Sequence, residues 1–571
     1  MKNNTVKKIE NGYRTIGSII GVNSTDTYKF KVKDYEARIG DIVVITNNLP
    51  TAERGKSLKA YVWGRIISMR RWNPFYPEEV GIELSREGMS PYQTTLAHSG
   101  DQLEATVKTM GVSEYPHNGE INIKPLVYPV QPISEVLSPP AEDLEKLFAG
   151  NINGDTPLPI GNLLNRPDVK IDISLKKIIS RHCAIIAQSG AGKSVTARRV
   201  TRVLGDLGYP TVIFDNSGDY LGLYENQSVF KKTKVKLFYP NLSSSKADVN
   251  GLILSLFSKT GTPLTAPQQE LFYNMLNSDR IDYEEGSSIL TYVKDLAEEA
   301  QSRSFNDGRR RSSYLAIVRG LNELARKIES MENENKSQRD NMQGYSFEKL
   351  PDTVQDPDKI SNKNQISIVY LGGYDDLMQS TIVSLVLEKL FYARTKKSIY
   401  PFQAVIEEAH NFCPAPREGT RDKPSLTTIR KIATEGRKWG ASLILISQKP
   451  SRLDETSLSQ CNTFICMRLS NPRDQEFVRR VIEQISQEDL RSLPNLGDGQ
   501  CFISGQAVKF PLQVQVKFDA DLQSGYVGNE DFLKEVLFTK KSNTKNKDET
   551  DNIIKGTFSK LKKRKNKEKN I

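Results

Sequence analysis

A chain of 571 residues exceeds what one hydrophobic core organises, so two or three domains with appendages are expected. Apolar residues make up 37% and charged residues 26%, and the longest apolar runs, at 366–371 and 442–446, are strand-sized, which argues against a membrane span; Met1-Lys2-Asn3-Asn4 leads into no signal-peptide core, so a cytoplasmic protein is expected. The net charge of +11 is weak evidence for a basic body: residues 540–571 carry 12 basic and 4 acidic residues, so this tail holds +8 and the rest of the chain only +3.

In chain order, residues 1–135 read as a small β-barrel. Alternation in Tyr28-Lys29-Phe30-Lys31-Val32, the run Ile42-Val43-Val44-Ile45 after Gly40-Asp41, and segments at 61–69 and 103–112 give short strands at turn-punctuated spacing. Val136-Leu137-Ser138-Pro139-Pro140 breaks the pattern, because the prolines neither donate to a ladder nor continue a helix. An acidic helix at 142–148 follows, and the linker is set at 136–159. From 160 to 539, strands at 184–186, 211–214, 366–371, 404–406, 442–446 and 463–467 alternate with helical stretches, the signature of a mostly parallel α/β sheet. Between about 245 and 350 the strand signal gives way to helical segments at 252–257, 268–276, 289–300 and 314–328, read as an inserted subdomain. The polar stretch 332–364 reads as a loop and the tail 540–571 as a disordered, solvated extension. Cys183, Cys413, Cys461, Cys466 and Cys501 are odd in number and without a C-x₂-C pair, which argues for reduced thiols and against a zinc or disulfide framework.

The chemistry starts at Ala184–Ser194. An apolar strand runs into Gln188-Ser189-Gly190-Ala191-Gly192-Lys193-Ser194, and a helical pattern begins at once. In such a loop the backbone N–H groups around Gly190, Ala191 and Gly192 cradle a phosphate, Lys193 reaches the β/γ-phosphates and the Ser194 hydroxyl reaches Mg²⁺. A nucleoside triphosphate is therefore the expected ligand. Ala187 stands where the pattern G-x-x-x-x-G-K-[ST] has its first glycine, a change of one methyl group that is tolerated if φ stays negative. Hydrolysis further needs a metal anchor and a group that activates water. Ala404-Val405-Ile406-Glu407-Glu408 ends a buried strand in two acids, with Glu407 read as the Mg²⁺ ligand and Glu408 as the residue facing water; His410 is either its supporting partner or a helix-start residue.

Gly192-Lys193-Ser194 preceded by His182, then Asp215-Asn216-Ser217-Gly218-Asp219-Tyr220, Glu407-Glu408-Ala409-His410-Asn411, Glu435-Gly436-Arg437-Lys438, Ser447-Gln448-Lys449-Pro450-Ser451, Gly497-Asp498-Gly499-Gln500 and Phe510-Pro511 resemble the HerA-type DNA translocases of the HerA/FtsK P-loop ATPase group. The resemblance spans about 160–518. It implies a RecA-like ATPase core, an N-terminal β-barrel, and a homohexameric ring threading double-stranded DNA with ATP and Mg²⁺ between subunits. That family often has Glu at Asp219 and Asp at Glu407, and both positions keep their charge here. The resemblance also implies an arginine donated by a neighbouring subunit, Arg437 or Arg430, which lie two helical turns apart on one face, and Gln448 as the γ-phosphate sensor. Arg309-Arg310-Arg311 meets phosphates or is an exposed basic turn. Members of the family work beside a NurA-type nuclease, or beside a sirtuin-like or other effector in antiviral defence, and no nuclease constellation is visible in this chain. A nucleotide-switched assembly scaffold and an export or conjugation motor are the competing readings.

Overall fold

The computed structural model describes residues 12–523 except 34–35, 51–56, 75–81, 83–85, 87–100, 115–120, 150–153, 241–249, 251–252, 255–263, 279–287, 343, 352–355, 417–422 and 483–484. The basic tail at 540–571 and most of the helix expected at 252–257 lie outside the described residues.

Six strands, β1 (Arg14–Ile20), β2 (Thr27–Val32), β3 (Ile42–Pro50), β4 (Ser57–Trp72), β5 (Gln102–Glu114) and β6 (Glu135–Ser138), close a barrel in the order β1-β2-β5-β4-β3-β6. The two-residue alternation does the sorting: Tyr28, Phe30 and Val32 are buried while Lys29 and Lys31 face outward. Residues 136–138, expected in the linker, instead complete the barrel, since β6 pairs with both β1 and β3. Pro139 and Pro140 fall just past the last ladder bond, so they end the strand rather than exclude it. A helix at Ala141–Ala149 follows, with Leu144, Leu147 and Phe148 packed among Trp63, Tyr61 and Leu158, which seats the barrel's outer face on the core.

The second domain holds β7 (Pro157–Leu163), β8 (Arg166–Ser174), β9 (Cys183–Ile186), β10 (Thr211–Asp215), β11 (Lys234–Tyr239), β12 (Phe347–Lys349), β13 (Gln365–Tyr370), β14 (Phe402–Ile406), β15 (Ala441–Ser447), β16 (Thr463–Met467), β17 (Gln500–Gly505) and β18 (Leu512–Val516). They form one sheet in the order β12-β11-β13-β10-β14-β15-β9-β16-β17-β18-β7-β8. From β12 to β16 every pairing is parallel, and β9, β10, β14, β15 and β16 are buried along their whole length, as parallel strands covered on both faces must be. The rest of the sheet, through β17, β18, β7 and β8, is antiparallel. The fold is thus α/β, a P-loop core with an N-terminal β-barrel and a helical insertion.

Helices Ala266–Leu276, Ile289–Asn306 and Arg311–Asn341 fall between β11 and β12. The last corrects the expected loop at 332–364: Met331 and Asn335 are buried, Asn335 Nδ2 donates to Gly372 O at 2.6 Å, and the helix runs on to Asn341 despite its polar sequence. Arg309 and Arg310 lie in an exposed turn between the two longer helices, and Arg311, also exposed, opens the second.

Candidate active site

The parallel strands end together, and their C-terminal ends carry the chemistry, as in other open α/β sheets. The phosphate loop leaves β9, and β15 separates it from β14, the acid-bearing strand. Gly190 (φ +76°) and Gly192 (φ +103°) are left-handed, and a Cβ at Gly192 would lie 3.1 Å from Gly499 N and from Met467 Cε. Ala187 keeps a negative φ, is fully buried, and its N–H donates to Ser447 O at 3.1 Å, so the missing glycine costs nothing in backbone strain. His182, just before β9, accepts Leu443 N–H on Nδ1 at 3.0 Å and pins the loop's strand to β15; burial lowers its pKa to about 4, which keeps the ring neutral.

Five residues singled out from sequence meet here: Lys193, Ser194, Glu407, Glu408 and Gln448. Lys193 Nζ lies 2.8 Å from Glu407 Oε1 and 2.5 Å from Glu408 Oε1, and Gln448 Nε2 donates to the same Glu408 oxygen. Adjacent side chains of a continuing strand point to opposite faces. Glu408 escapes that alternation by adopting φ +49°, ψ +47°, a left-handed conformation that costs a non-glycine residue roughly 1–3 kcal/mol, and both carboxylates thereby reach one ammonium. Burial lowers the Lys193 pKa, but the two carboxylates outweigh it and hold the ammonium above its ordinary value; burial pushes the Glu407 carboxyl up, against the pull of Lys193. His410 Nδ1 is hydrogen-bonded to Ser447 Oγ at 3.2 Å and stands 3.3 Å from Glu408 Oε2 without a hydrogen bond to it; burial lowers the His410 pKa.

Three residues left off the sequence-based site, Asp215, Asp219 and Tyr220, build the same cluster. The buried Asp215 carboxylate accepts the backbone N–H groups of Ser217, Gly218 and Tyr220, folding the turn after β10 back on itself. That turn aims Asp219 Oδ2 at Ser194 Oγ (2.9 Å) and the Tyr220 hydroxyl at Glu407 Oε2 (2.8 Å). The sequence signal was present in Asp215-Asn216-Ser217-Gly218-Asp219-Tyr220, two acids spaced by turn residues at the end of an apolar strand.

The arginines go elsewhere. Arg430 forks onto the buried Asp454, with Nη2 2.6 Å from Oδ1 and Nε 3.0 Å from Oδ2. Arg437 is exposed in the last turn of the Pro424–Trp439 helix. A Cβ on the preceding Gly436 would meet Ala441 O at 2.2 Å, which fixes this turn at the N-terminal end of β15. Gln448 follows the other end, about 20 Å away at 3.3 Å per strand residue, so Arg437 and the Lys193 cluster of its own chain are well separated. A cleft of about 780 Å³ lined by Arg430, Asp454, Phe477 and Arg480 also lies off the cluster, which contributes none of its lining.

The cluster suits a magnesium–nucleotide complex. Among the described residues no three His, Cys, Asp or Glu groups converge closely enough to hold a metal alone. Mg²⁺ commonly takes one or two protein oxygens and completes its shell with water and phosphate, which is what Ser194 with Asp219 offers.

Residues 158–390 match the family described as Helicase HerA, central domain (DUF87). The chain is 27% identical over 448 residues to the DNA double-strand break repair helicase HerA of Pyrococcus furiosus, covering 68% of this chain and 75% of that protein. A probable helicase of Methanocaldococcus jannaschii is 25% identical over 556 residues, covering 91% of this chain and 98% of the relative. Among solved structures, VirB4 of Thermoanaerobacter pseudethanolicus aligns at a TM-score of 0.43 and 13% identity, over 64% of this chain and 98% of that one. With the phosphate loop and the paired acids on the same sheet as the segment that matches the HerA central domain, the chain is a P-loop ATPase.

Proposed function

We propose that this ATPase is a motor on double-stranded DNA, a cytoplasmic homohexamer that works with Mg²⁺ and with a separate nuclease or sirtuin-like effector in DNA end processing or antiviral defence. The observation that carries the reading is the convergence of Lys193, Ser194, Glu407, Glu408 and Gln448 at the ends of neighbouring parallel strands. Relatives named as DNA repair helicases support the choice of DNA.

In this reading the backbone N–H groups of Gly190, Ala191 and Gly192 hold the β-phosphate, and Lys193 leaves its two carboxylates for the β/γ-phosphates. Ser194 and Asp219, with Glu407 beside them, hold Mg²⁺, which when bound neutralises charge on the phosphates. Release of Lys193 frees Glu408 to accept a proton from water, with His410 and Gln448 orienting it. Arg437 serves the neighbouring subunit's site, and Arg430 is a structural ion pair to Asp454. ATP turnover measured with and without duplex DNA, alongside the mass of the assembly in solution, tests the reading: DNA-stimulated turnover by a six-subunit species supports it, and turnover indifferent to DNA contradicts it.

Asp219→Asn keeps the hydrogen bond to Ser194 but loses the charge. It should raise the Mg²⁺ concentration needed for half-maximal turnover at least about tenfold, since even residues that only support a metal ligand cost that much when changed, as read by titrating Mg²⁺ at saturating ATP. Deleting 540–571 removes +8 from the chain and should weaken DNA binding modestly while leaving DNA-independent hydrolysis intact. The slope of log K against log salt should flatten by roughly 0.9 for each phosphate that the tail no longer neutralises. An unchanged slope would mean that the tail touches no DNA.

A further inference from the structure

Among the described residues, an ion pair joins the barrel to the ATPase core. Arg65, on β4, is buried, with its guanidinium nitrogen 2.7 Å from Asp489 Oδ1 and 2.8 Å from Oδ2, and it lies 5.5 Å over the Phe502 ring of β17. Both side chains are more than nine-tenths buried. The same Asp489 carboxylate accepts Ser486 N–H and Oγ–H, and so caps the Gln487–Ser492 helix. That helix leads directly toward the nucleotide site. Leu493 O, in the next turn, accepts Leu469 N–H from the segment after β16, and the chain then folds into the tight turn Gly497-Asp498-Gly499-Gln500. There Gly499 N–H donates to Ala191 O of the phosphate loop at 3.0 Å, and Asp498 holds Arg468 at 2.9 Å. Arg468 in turn accepts Gln188 N–H of the phosphate loop on its backbone oxygen. The 497–500 turn is therefore one wall of the phosphate cradle, and a buried charge pair to the barrel anchors the helix that leads into it.

We infer that Arg65 is a positioning residue for the ATP site: through Asp489 it fixes the 497–500 wall against the phosphate loop, so that the barrel's seat and nucleotide affinity are thermodynamically linked. The inference deepens the assignment of the Lys193 cluster as the nucleotide site and rests on it. Linkage is reciprocal, so whatever moves the barrel changes ATP affinity, and bound ATP steadies the barrel.

The test uses the full-length protein and the variants Arg65→Met, Arg65→Lys and the double variant Arg65→Met/Asp489→Asn. Arg65→Met should raise KM for ATP, and the Kd of a fluorescent ATP analogue, about tenfold with kcat little changed, a typical size for coupling between sites. Arg65→Lys keeps the charge but not the planar guanidinium over the Phe502 ring and should fall between wild type and Arg65→Met. The double variant removes the orphaned buried carboxylate and should recover part of the lost affinity, which keeps the test valid if the single variant folds poorly. Loss of folded protein alone lowers apparent kcat and leaves KM and Kd unmoved. That pattern, or unchanged KM in a folded Arg65→Met protein, overturns the inference. A wild-type protein that binds no ATP analogue contradicts instead the nucleotide-site assignment beneath it.

Discussion

Lys193→Ala protein should hydrolyse ATP at least 10²- to 10³-fold more slowly than wild type, roughly what one preorganised charge contact to a transition state contributes. Lys193 is the one cation contacting Glu407 and Glu408 among the described residues, apart from His410 at Glu408 if it is protonated. Its loss removes the charge that meets the phosphates and leaves two carboxylates facing each other in a buried site, a repulsion that also disfavours an incoming triphosphate. The check is steady-state phosphate release by a variant whose melting temperature and assembly mass match wild type. Turnover near the wild-type rate in that variant would place the active site elsewhere.

Arg437→Ala should leave ATP binding intact yet cut turnover by about 10³-fold or more, the scale of a lost arginine finger. The reason is geometric. Arg437 sits at the N-terminal end of β15 while Gln448 and Glu408 sit past the C-terminal ends of β15 and β14, so the Lys193 cluster of its own chain is out of its reach, and in the proposed ring it serves a neighbouring subunit's site. Arg430→Ala, by contrast, removes the partner of the buried Asp454 and should act mainly on stability. Mixing separates trans from cis action. Arg437→Ala and Glu408→Gln subunits should each be inactive alone, but a mixed assembly would contain interfaces with an intact Glu408 facing an intact Arg437, and these should recover some activity. Failure to complement at every ratio, with co-assembly demonstrated, would count against the trans role.

The elements legible in sequence were those whose physics is local. Strands β9, β10, β13, β14, β15 and β16 read as apolar runs because parallel strands are buried on both faces, and the phosphate loop read from its glycines and Lys193. The strand β6 was hidden by the prolines that end it, and the C-terminal part of the Arg311–Asn341 helix by a polar sequence in which the buried position after Met331 is Asn335, so that the helical spacing carries no apolar signal. Within the site, Glu407 and Glu408 were legible as acids but not as a pair converging on one lysine, since that depends on the left-handed backbone of Glu408. Asp219 was visible as a residue and not as a partner of Ser194, because the turn that aims it is held by the buried Asp215. The Arg430–Asp454 and Arg65–Asp489 pairs join positions 24 and 424 residues apart, and no local pattern foretells either.

Movement on DNA is the central claim, and displacement of a triplex-forming oligonucleotide from duplex DNA tests it most directly. Wild-type protein should strip the third strand only with hydrolysable ATP and Mg²⁺, and Glu408→Gln protein should bind the same duplex without stripping it. Wild-type protein that hydrolyses ATP on DNA yet leaves the third strand in place would contradict the motor and favour an assembly scaffold switched by its nucleotide.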